Sequence, residues 1–403
     1  MISSVVEAMG SGPLSEEALV RHVHPLFARV LSRGEIYLAN HSLGRPLDRT
    51  LEDVGRAVAL WQERMDEAWE DWLLEMDLYR ASIARLIGCS RADAVVPKTS
   101  AGQGLRAVLN ALRTRTPVVV TTEGEFDSID FILRAYEARG RARVVRVGAD
   151  ANACFDAGRI VDAIERGVDL VVVSAVYFST GQVLEGIGAI TARAKEAGAL
   201  VLLDAYHAAG ALPLDVGALG VDFAIGGNYK YTRGGPGAGW LMVGPRHLDG
   251  DEIRSIDTGW FAKKGTFEFG RTGKVEYAAG GDAWLEATPS FLPAYQAKAG
   301  LELTLSLGVE RLRAYSLEQC SFLEGALRRR GVAVRTVSPR GAFLLVASAD
   351  SPGACAALKR AGVNTDARPD PLGRGHVRLC PDILNTREEM ERAAVIVGRT
   401  LSV

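Results

Sequence analysis

Lys230 has the setting that most clearly favours covalent chemistry. It follows the apolar run at 222–226, lies between Tyr229 and Tyr231, and is followed by a glycine-rich turn. The chain has only 8 lysines among 47 basic residues, so a lysine in an aromatic stretch is unusual. Burial lowers the pKa of a lysine amine and lets the amine attack a carbonyl carbon. The alternative is a surface lysine in a loop.

An acid and a histidine follow a neighbouring apolar run. Asp204 stands at the end of the run that begins at 199, and His207 comes shortly after it. In parallel sheets the ligand lies at such strand ends. The acid could therefore hold a protonated ring nitrogen while the histidine lies against the ring. The alternative is an aspartate that caps a helix, followed by a histidine with ordinary hydrogen-bond partners.

Hydroxyl side chains mark two further segments. Thr99 and Ser100 precede a helix start rich in small residues, which offers backbone N–H groups to a phosphate. Thr180 follows the run at 169–174 and could bond a cofactor or substrate, although a simple strand-to-helix turn would also explain it. With Asp204 on a ring nitrogen and Lys230 in a covalent link, the set predicts pyridoxal 5'-phosphate (PLP) as the cofactor.

A rival interpretation comes from residues 102–107. They match the G-x-G-x-x-A pattern of dinucleotide sites, with Glu123 or Glu125 as the later acid. The pattern is common by chance, and the preceding residues 94–98 make a poor strand. A nicotinamide enzyme is therefore the weaker hypothesis.

The sequence alternates between apolar runs and helical stretches from about residue 95. Strands are predicted at 36–38, 117–121, 142–147, 169–174, 199–204, 222–226 and 239–243, and helices over 48–87 and 295–330. Near-continuous apolar strands separated by helices predict an α/β fold with a mostly parallel sheet covered on both faces. We expect an N-terminal segment at 1–45 that packs with the small domain, a large domain at 46–295 and a smaller C-terminal α/β domain at 296–403.

Composition argues against several classes of partner. The net charge is −2, so no strong field attracts nucleic acid, and the apolar runs are too short to cross a bilayer. The first residues lack a basic segment followed by an apolar one, so no secretion signal is expected. The 5 cysteines are scattered without CxxC spacing, which predicts reduced thiols in the cytoplasm and no metal site.

Several motifs resemble those of the kynureninases, fold-type I PLP hydrolases of the class V aminotransferase group. They are D-x-x-H-A-x-G from Asp204, D-F-A-x-x-G-x-Y-K-Y-x-x-G-G-P-G around Lys230 and Y-x-x-T-G-Q up to Gln182. The segments IYLANHSLGRPL and GWF extend the likeness, which covers about 35–295 with a weaker match at HVRLC. The resemblance implies a PLP enzyme that forms a homodimer.

The resemblance also implies roles for particular residues. Lys230 would hold the cofactor and move protons at Cα, Asp204 would pair with the ring nitrogen, and Tyr229 would assist catalysis. The other implied cofactor contacts, the last two across the subunit interface, are His207, Phe126, Thr99, Ser100, Tyr229, Thr180, Trp260 and Thr288. Of these, Thr99, Ser100 and Tyr229 would hold the phosphate. Arg378 would clamp the α-carboxylate of an amino-acid substrate, with His41 and Ser42 nearby.

Three departures from the family pattern concern the substrate. The acid of the family's F-P-[ST]-D motif is Ile129 here, and Asp130 stands one place late. His41 replaces the asparagine of N-S-L-G. The histidine that the family carries on the aryl side has no clear counterpart. These changes leave the cofactor residues nearly intact and alter the region expected to meet the aromatic end of a substrate.

The expected activity is hydrolysis of the Cβ–Cγ bond of L-kynurenine or a related γ-keto amino acid, which yields L-alanine and an anthranilate-type product. Another class V reaction on an unidentified amino acid remains open: a C–S lyase or desulfurase, an epimerase or a transaminase. A cofactor-binding regulator without turnover is the alternative from a different functional class.

Overall fold

The protein is described here by a computed structural model that covers residues 2–250, 252–271, 273–335 and 337–401. The strands in these ranges are β1 Ile36–Tyr37, β2 Val95–Lys98, β3 Val118–Thr122, β4 Arg143–Val147, β5 Leu170–Ser174, β6 Leu200–Asp204, β7 Phe223–Gly227, β8 Gly239–Val243, β9 Val334–Arg335, β10 Leu344–Ala347, β11 Val363–Asn364, β12 Asp366–Pro369 and β13 Gly375–Leu379.

The helices surround and connect these strands. They are α1 Ile2–Ala8, α2 Glu16–Ala18, α3 Ala28–Leu31, α4 Arg49–Arg64, α5 Ala68–Leu86, α6 Ala101–Leu109, α7 Asp127–Ala138, α8 Ala157–Ala163, α9 Ile187–Ala197, α10 Val216–Leu219, α11 Leu292–Leu307, α12 Val309–Arg328, α13 Ser351–Arg360 and α14 Arg387–Leu401. Both long predicted helices are divided, one at Met65 with φ 50° and the other at Gly308 with φ 84°. A positive φ cannot continue a right-handed helix.

Seven strands form the central sheet in the order β2-β8-β7-β6-β5-β3-β4. The pairs from β4 through β3, β5 and β6 to β7 are parallel, and β8 pairs antiparallel with both β7 and β2. Helices cover both faces, because Leu202 belongs to the core beneath α6 and α7 whereas Leu203 belongs to the core beneath α8 and α9. The predicted α/β fold with a mostly parallel sheet is confirmed.

The interpretation of residues 94–98 as a poor strand is wrong. Val95 and Val96 are fully buried, and β2 pairs with β8 at the edge of the sheet. Pro97 is tolerated there because an edge strand has one side without a neighbouring strand.

A second sheet lies in the C-terminal part of the chain. Its order is β12-β13-β10-β9, all antiparallel, and α12 and α14 pack together beside it. The N-terminal strand β1 pairs in parallel with β11. The division into domains at 45 and 295 stays a prediction. Within the described ranges, no helix is both long and apolar enough to cross a membrane.

Because the sheet is covered on both faces, substitutions of buried residues on either face of β6 should lower stability by similar amounts. Leu202→Ala and Leu203→Ala should each lower the free energy of unfolding by about 2–5 kcal/mol, because both side chains are fully buried on opposite faces. Leu74→Ala, at a leucine that is 60% exposed, is the control and should change it by less than about 1 kcal/mol. Urea unfolding followed by circular dichroism measures the differences. A near-neutral change at one of the two buried leucines would contradict a sheet covered on both faces.

Candidate active site

A cavity of about 400 Å³ opens at the carboxyl ends of the parallel strands. This is the edge where α/β sheets bind ligands. Seven residues selected from the sequence line it, namely Thr99, Ser100, Phe126, Asp204, His207, Tyr229 and Lys230. Residues separated by more than a hundred positions therefore meet around a single space.

Lys230 is buried in the turn that follows β7. The backbone N–H of Gly44 donates to the Tyr229 carbonyl at 2.7 Å, and a Cβ on Gly44 would lie 1.9 Å from the Lys230 carbonyl oxygen. Only a glycine can approach the lysine's backbone so closely at that position. The N-terminal segment thus fixes the backbone from which the amine projects.

The Lys230 amine is surrounded by aromatic rings. Its Nζ lies 4.7 Å from the centre of the Tyr206 ring, 5.5 Å from that of Tyr229 and 5.6 Å from that of Phe126. Burial lowers the pKa of Lys230 to about 7; the Asp204 charge opposes this shift and the Arg378 charge adds to it. A substantial fraction of the amine is therefore neutral, and nucleophilic, near neutral pH.

His207 contacts the lysine directly. Its Nε2 lies 2.6 Å from Lys230 Nζ, and its Nδ1 lies 3.2 Å from the Tyr231 hydroxyl. Burial holds the pKa of His207 well below its usual range and that of Tyr231 well above. The imidazole is therefore neutral, with one nitrogen as donor and the other as acceptor, so it can pair with the amine in either protonation state.

Asp204 ends β6 with its carboxyl on the cavity. Its Oδ1 accepts a hydrogen bond of 2.8 Å from the backbone N–H of Tyr206. Burial raises the pKa of Asp204, and the Tyr206 hydrogen bond and the Lys230 charge oppose that rise. A cationic group placed opposite this carboxyl would favour its charged form.

The first turn of α6 forms another wall. Ser100 Oγ accepts a 3.2 Å bond from the Gln103 N–H, and Thr99 donates to the Gln103 side chain through both N–H and hydroxyl. A Cβ on Gly104 would lie 2.7 Å from Ile225, so this glycine of the G-x-G-x-x-A pattern lets the helix pack against the sheet. The free N–H groups of the first turn attract an anion.

The wall near α7 is apolar. Ile129, which replaces the family acid, is buried and lines the cavity together with Phe126, Ile132 and Phe178. Asp130 does not substitute for the acid, because it pairs with Arg134 at 2.6 Å and with Arg146 at 3.4 Å.

Arg378 is already engaged by a carboxylate. Its Nε donates to Asp366 at 2.8 Å and its Nη2 donates to the same carboxylate, while Nη1 donates to the Phe178 carbonyl. Asp366 also contacts His41 Nε2 at 2.7 Å and accepts from the Ser42 hydroxyl. Burial raises the pKa of Asp366, but its contacts with His41 and Arg378 outweigh burial and depress that pKa far below its usual range. Arg378, His41 and Ser42, which were predicted to bind substrate, therefore all contact Asp366, a residue that the sequence did not suggest.

Three predicted cofactor contacts lie outside the cavity lining of this chain. Trp260 Nε1 donates to Thr288 Oγ1 at 3.1 Å, and Thr288 lines a neighbouring cleft of about 170 Å³. Thr180 is fully buried and accepts a 3.3 Å bond from the Gln182 N–H.

Several site residues were missed in the sequence. Tyr231 and Tyr206 stand next to selected residues, and that proximity was the available signal. Glu125 was considered only for the rival dinucleotide site, and Ser174 only as the end of a strand. The sequence carries no local signal for Asp366, because its partners His41 and Ser42 are more than three hundred residues away.

The residues around the cavity fit PLP. A buried amine of lowered pKa can bind its aldehyde, a buried carboxyl can face its ring nitrogen, and a helix start beside Thr99 and Ser100 can receive its phosphate. The aromatic ring of Phe126 supplies an apolar surface for the pyridine.

Comparisons with known proteins agree with this fit. Residues 58–340 match the family Aminotransferase class-V. The chain is 30% identical over 293 residues to a kynureninase of Deinococcus radiodurans, covering 70% of this chain and 68% of that protein. It is 26% identical over 387 residues to a kynureninase of Bacillus thuringiensis, covering 91% and 89%.

The fold has relatives of a different activity among solved structures. A mutant of the cystine C–S lyase C-DES, with glycine covalently linked to its PLP cofactor, superposes with a TM-score of 0.82 at 21% identity, over 93% of this chain and 98% of that one. From the family match, the kynureninase likeness and the fold, we conclude that the chain belongs to the class V aminotransferase family and is a kynureninase-like, PLP-dependent enzyme.

Proposed function

We propose that this enzyme hydrolyses the Cβ–Cγ bond of L-kynurenine or a related γ-keto amino acid, giving L-alanine and an anthranilate-type product. The observation that carries the proposal is a buried amine, paired with a neutral histidine, that faces a largely apolar cavity. The kynureninases at 26–30% identity support the same reaction.

Lys230 is the residue that moves protons. When bound, PLP accepts the electrons released as bonds to the substrate's Cα and Cβ are broken. A neutral Lys230 amine can take the Cα proton, and the pKa of about 7 makes the amine available near neutral pH. His207 holds Nζ at 2.6 Å and is itself positioned by Tyr231, so the amine keeps one direction toward the cavity.

Arg378 binds the substrate α-carboxylate in this proposal. Asp366 holds the Nε and Nη2 side of the guanidinium, while the hydrogen bond that Nη1 makes within the described ranges is to the neutral Phe178 carbonyl. A substrate carboxylate can displace a neutral acceptor, because a charge-assisted hydrogen bond is stronger than a neutral one. Asp366 then orients the arginine, and His41 and Ser42 fix Asp366.

The apolar wall receives the aromatic end of the substrate. Phe126, Ile129 and Phe178 provide the surface, and Tyr229, which also lines the cavity, is the candidate proton donor. Ile129 adds apolar contact where the family carries an acid. A preference for one substituted ring over another would therefore arise at this wall.

A homodimer completes the site in this proposal. Trp260 and Thr288 bond each other near exposed apolar side chains of the same region, including Ile256, Phe269 and Val275, which are 70%, 74% and 81% exposed. Apolar exposure on this scale is typical of a surface that meets another chain. Thr180 is fully buried, and in this proposal it contacts the cofactor through its hydroxyl. We place the dimer in the cytoplasm because its cysteines are free thiols.

A C–S lyase or desulfurase is the second candidate, favoured by the solved structures of similar fold. A desulfurase needs a reactive thiolate. Cys320 and Cys380 are fully buried, and Cys355 lies in α13 next to Thr365. Burial raises the pKa of each of these thiols, which disfavours the thiolate. A desulfurase therefore has weaker support than the hydrolase.

Removal of the lysine should abolish the covalent link to the cofactor. After borohydride treatment and denaturation, we expect PLP to remain covalently attached to the unaltered enzyme but to be released from the Lys230→Ala variant, which should also lose at least about 1000-fold in turnover. Lys195→Ala, at an exposed lysine in α9, is the matched control and should retain the attached PLP. PLP that stays attached to Lys230→Ala after this treatment would assign the link to another amine.

Replacement of the arginine should weaken substrate binding selectively. Arg378→Lys keeps the charge but loses the planar fork, so we expect KM to rise about 10- to 100-fold with a smaller change in kcat. Arg329→Lys, at an exposed arginine paired with Glu391, serves as the control. An unchanged KM would remove Arg378 from the carboxylate site. Steady-state kinetics with the best amino-acid substrate gives both constants.

The substrate itself is tested by mixing the PLP-loaded protein with L-kynurenine and, separately, with 3-hydroxy-L-kynurenine. We expect stoichiometric release of L-alanine and the matching anthranilate, followed by fluorescence and an alanine assay. Release of sulfur from cystine or cysteine without any anthranilate would transfer the function to the second candidate.

A further inference from the structure

Glu125 is a buried carboxyl that the proposed chemistry does not use. It lies in the turn between β3 and α7 and is 4% exposed. Its Oε1 lies 2.7 Å from Thr122 Oγ1 and its Oε2 lies 2.6 Å from Ser174 Oγ. A hydroxyl can donate to an ionised carboxyl or accept from a protonated one. Among the described residues, no lysine, arginine or histidine forms an ion pair with it. Its partners in the described ranges are the hydroxyls of Thr122 and Ser174 and the Ser174 backbone, none of them cationic, so the burial of this carboxyl needs an explanation.

Ser174 links this carboxyl to the cofactor site. It ends β5 and pairs in register with Asp204, which ends the parallel strand β6. Ser174 and Asp204 both line the cavity. The hydroxyl that bonds Glu125 therefore belongs to the strand end next to the one that carries Asp204.

Glu125 and Asp204 are buried close to each other, so the ionisation of one carboxyl disfavours the ionisation of the other. Burial raises the pKa of Glu125 to about 8; the charge of Asp204 adds to the rise, and the hydroxyls of Ser174 and Thr122 oppose it. Asp204 lies at the cavity, where a protonated Lys230 amine or a protonated ring nitrogen of bound PLP would favour its charged form, whereas Glu125 has no cationic partner among the described residues. The negative charge therefore belongs on Asp204 and the proton on Glu125.

We propose that Glu125 is a positioning residue of the cofactor site, which fixes the Asp204 strand end through Ser174 and keeps a proton so that Asp204 alone carries the charge opposite the ring nitrogen. This inference rests on the proposed role of Asp204 but not on the identity of the substrate. A single, localised carboxylate favours a protonated ring nitrogen, which is the form of PLP that withdraws electrons most strongly.

Other titratable groups face Glu125 from the elements packed around it. Tyr177, just after β5, is buried, and burial together with the Glu125 charge holds its pKa well above its usual range. Asp204 approaches from β6, and Lys230 acts through Asp204. Glu123 is exposed two positions earlier, which makes it a matched site for control substitutions.

Protonation of Glu125 can be measured without any substrate. Infrared difference spectra are recorded for the unaltered holoenzyme, Glu125→Gln and Glu123→Gln, between pH values about two units below and above the transition near 8. We expect the unaltered enzyme and Glu123→Gln to lose the carbonyl stretch of a buried protonated carboxylic acid, and Glu125→Gln to lack that change. Identical difference spectra for all three proteins would overturn the proposal.

The effect on the cofactor is read from its visible absorption as a function of pH. The unaltered enzyme and Glu123→Gln should show a step near 8 that Glu125→Gln lacks, because only an ionising Glu125 adds charge beside Asp204. Ser174→Ala should move the step upward by about one pH unit, since it removes a donor that stabilises the ionised carboxyl. A purely structural Glu125 would leave the titrations of Glu125→Gln and the unaltered enzyme superimposed. Both measurements remain decisive whether or not kynurenine is cleaved.

Discussion

The structure depends on keeping the Lys230 amine away from bulk water. An ammonium group loses hydration when it is buried, and three aromatic rings close around Nζ at 4.7–5.6 Å without replacing that hydration. The neutral amine is therefore favoured at a pH where an exposed lysine stays charged. His207 can hydrogen-bond to the charged or the neutral amine because its two ring nitrogens offer one donor and one acceptor. Nucleophilic character is thus a consequence of packing rather than of a special residue type.

The α/β architecture supplies the space in which this can happen. Parallel strands bring their carboxyl ends to one edge, so Ser174, Asp204 and the turn to Lys230 follow each other across the sheet. The same sheet is covered on both faces, which excludes water below the site. The first turn of α6 enters at the same edge and presents N–H groups to an anion. The cavity at this edge is therefore shielded from bulk water below and open to a ligand above.

The pairing of Arg378 with Asp366 joins distant parts of the chain around the site. Arg378 comes from β13, Asp366 from β12, His41 and Ser42 from the segment after β1, and the Phe178 carbonyl from the turn after β5. A buried ion pair of this kind is costly unless all its partners are satisfied. The partners here come from the N-terminal segment and both sheets, so the network fixes their relative positions as well as the arginine.

The sequence by itself determined the strand and helix alternation and the chemical candidates at the strand ends. Period and composition are local properties, so the parallel sheet, the buried run before Asp204 and the unusual setting of Lys230 could be predicted. Residues 94–98 could not, because a proline in a short run conceals an edge strand whose partner, β8, lies far along the chain. The tertiary structure alone decided that His207 pairs with Lys230, that Asp366 engages Arg378, and that Glu125 lies behind Asp204. These contacts join side chains from different strands and turns and depend on the exclusion of water, and local spacing in the sequence specifies neither of these conditions.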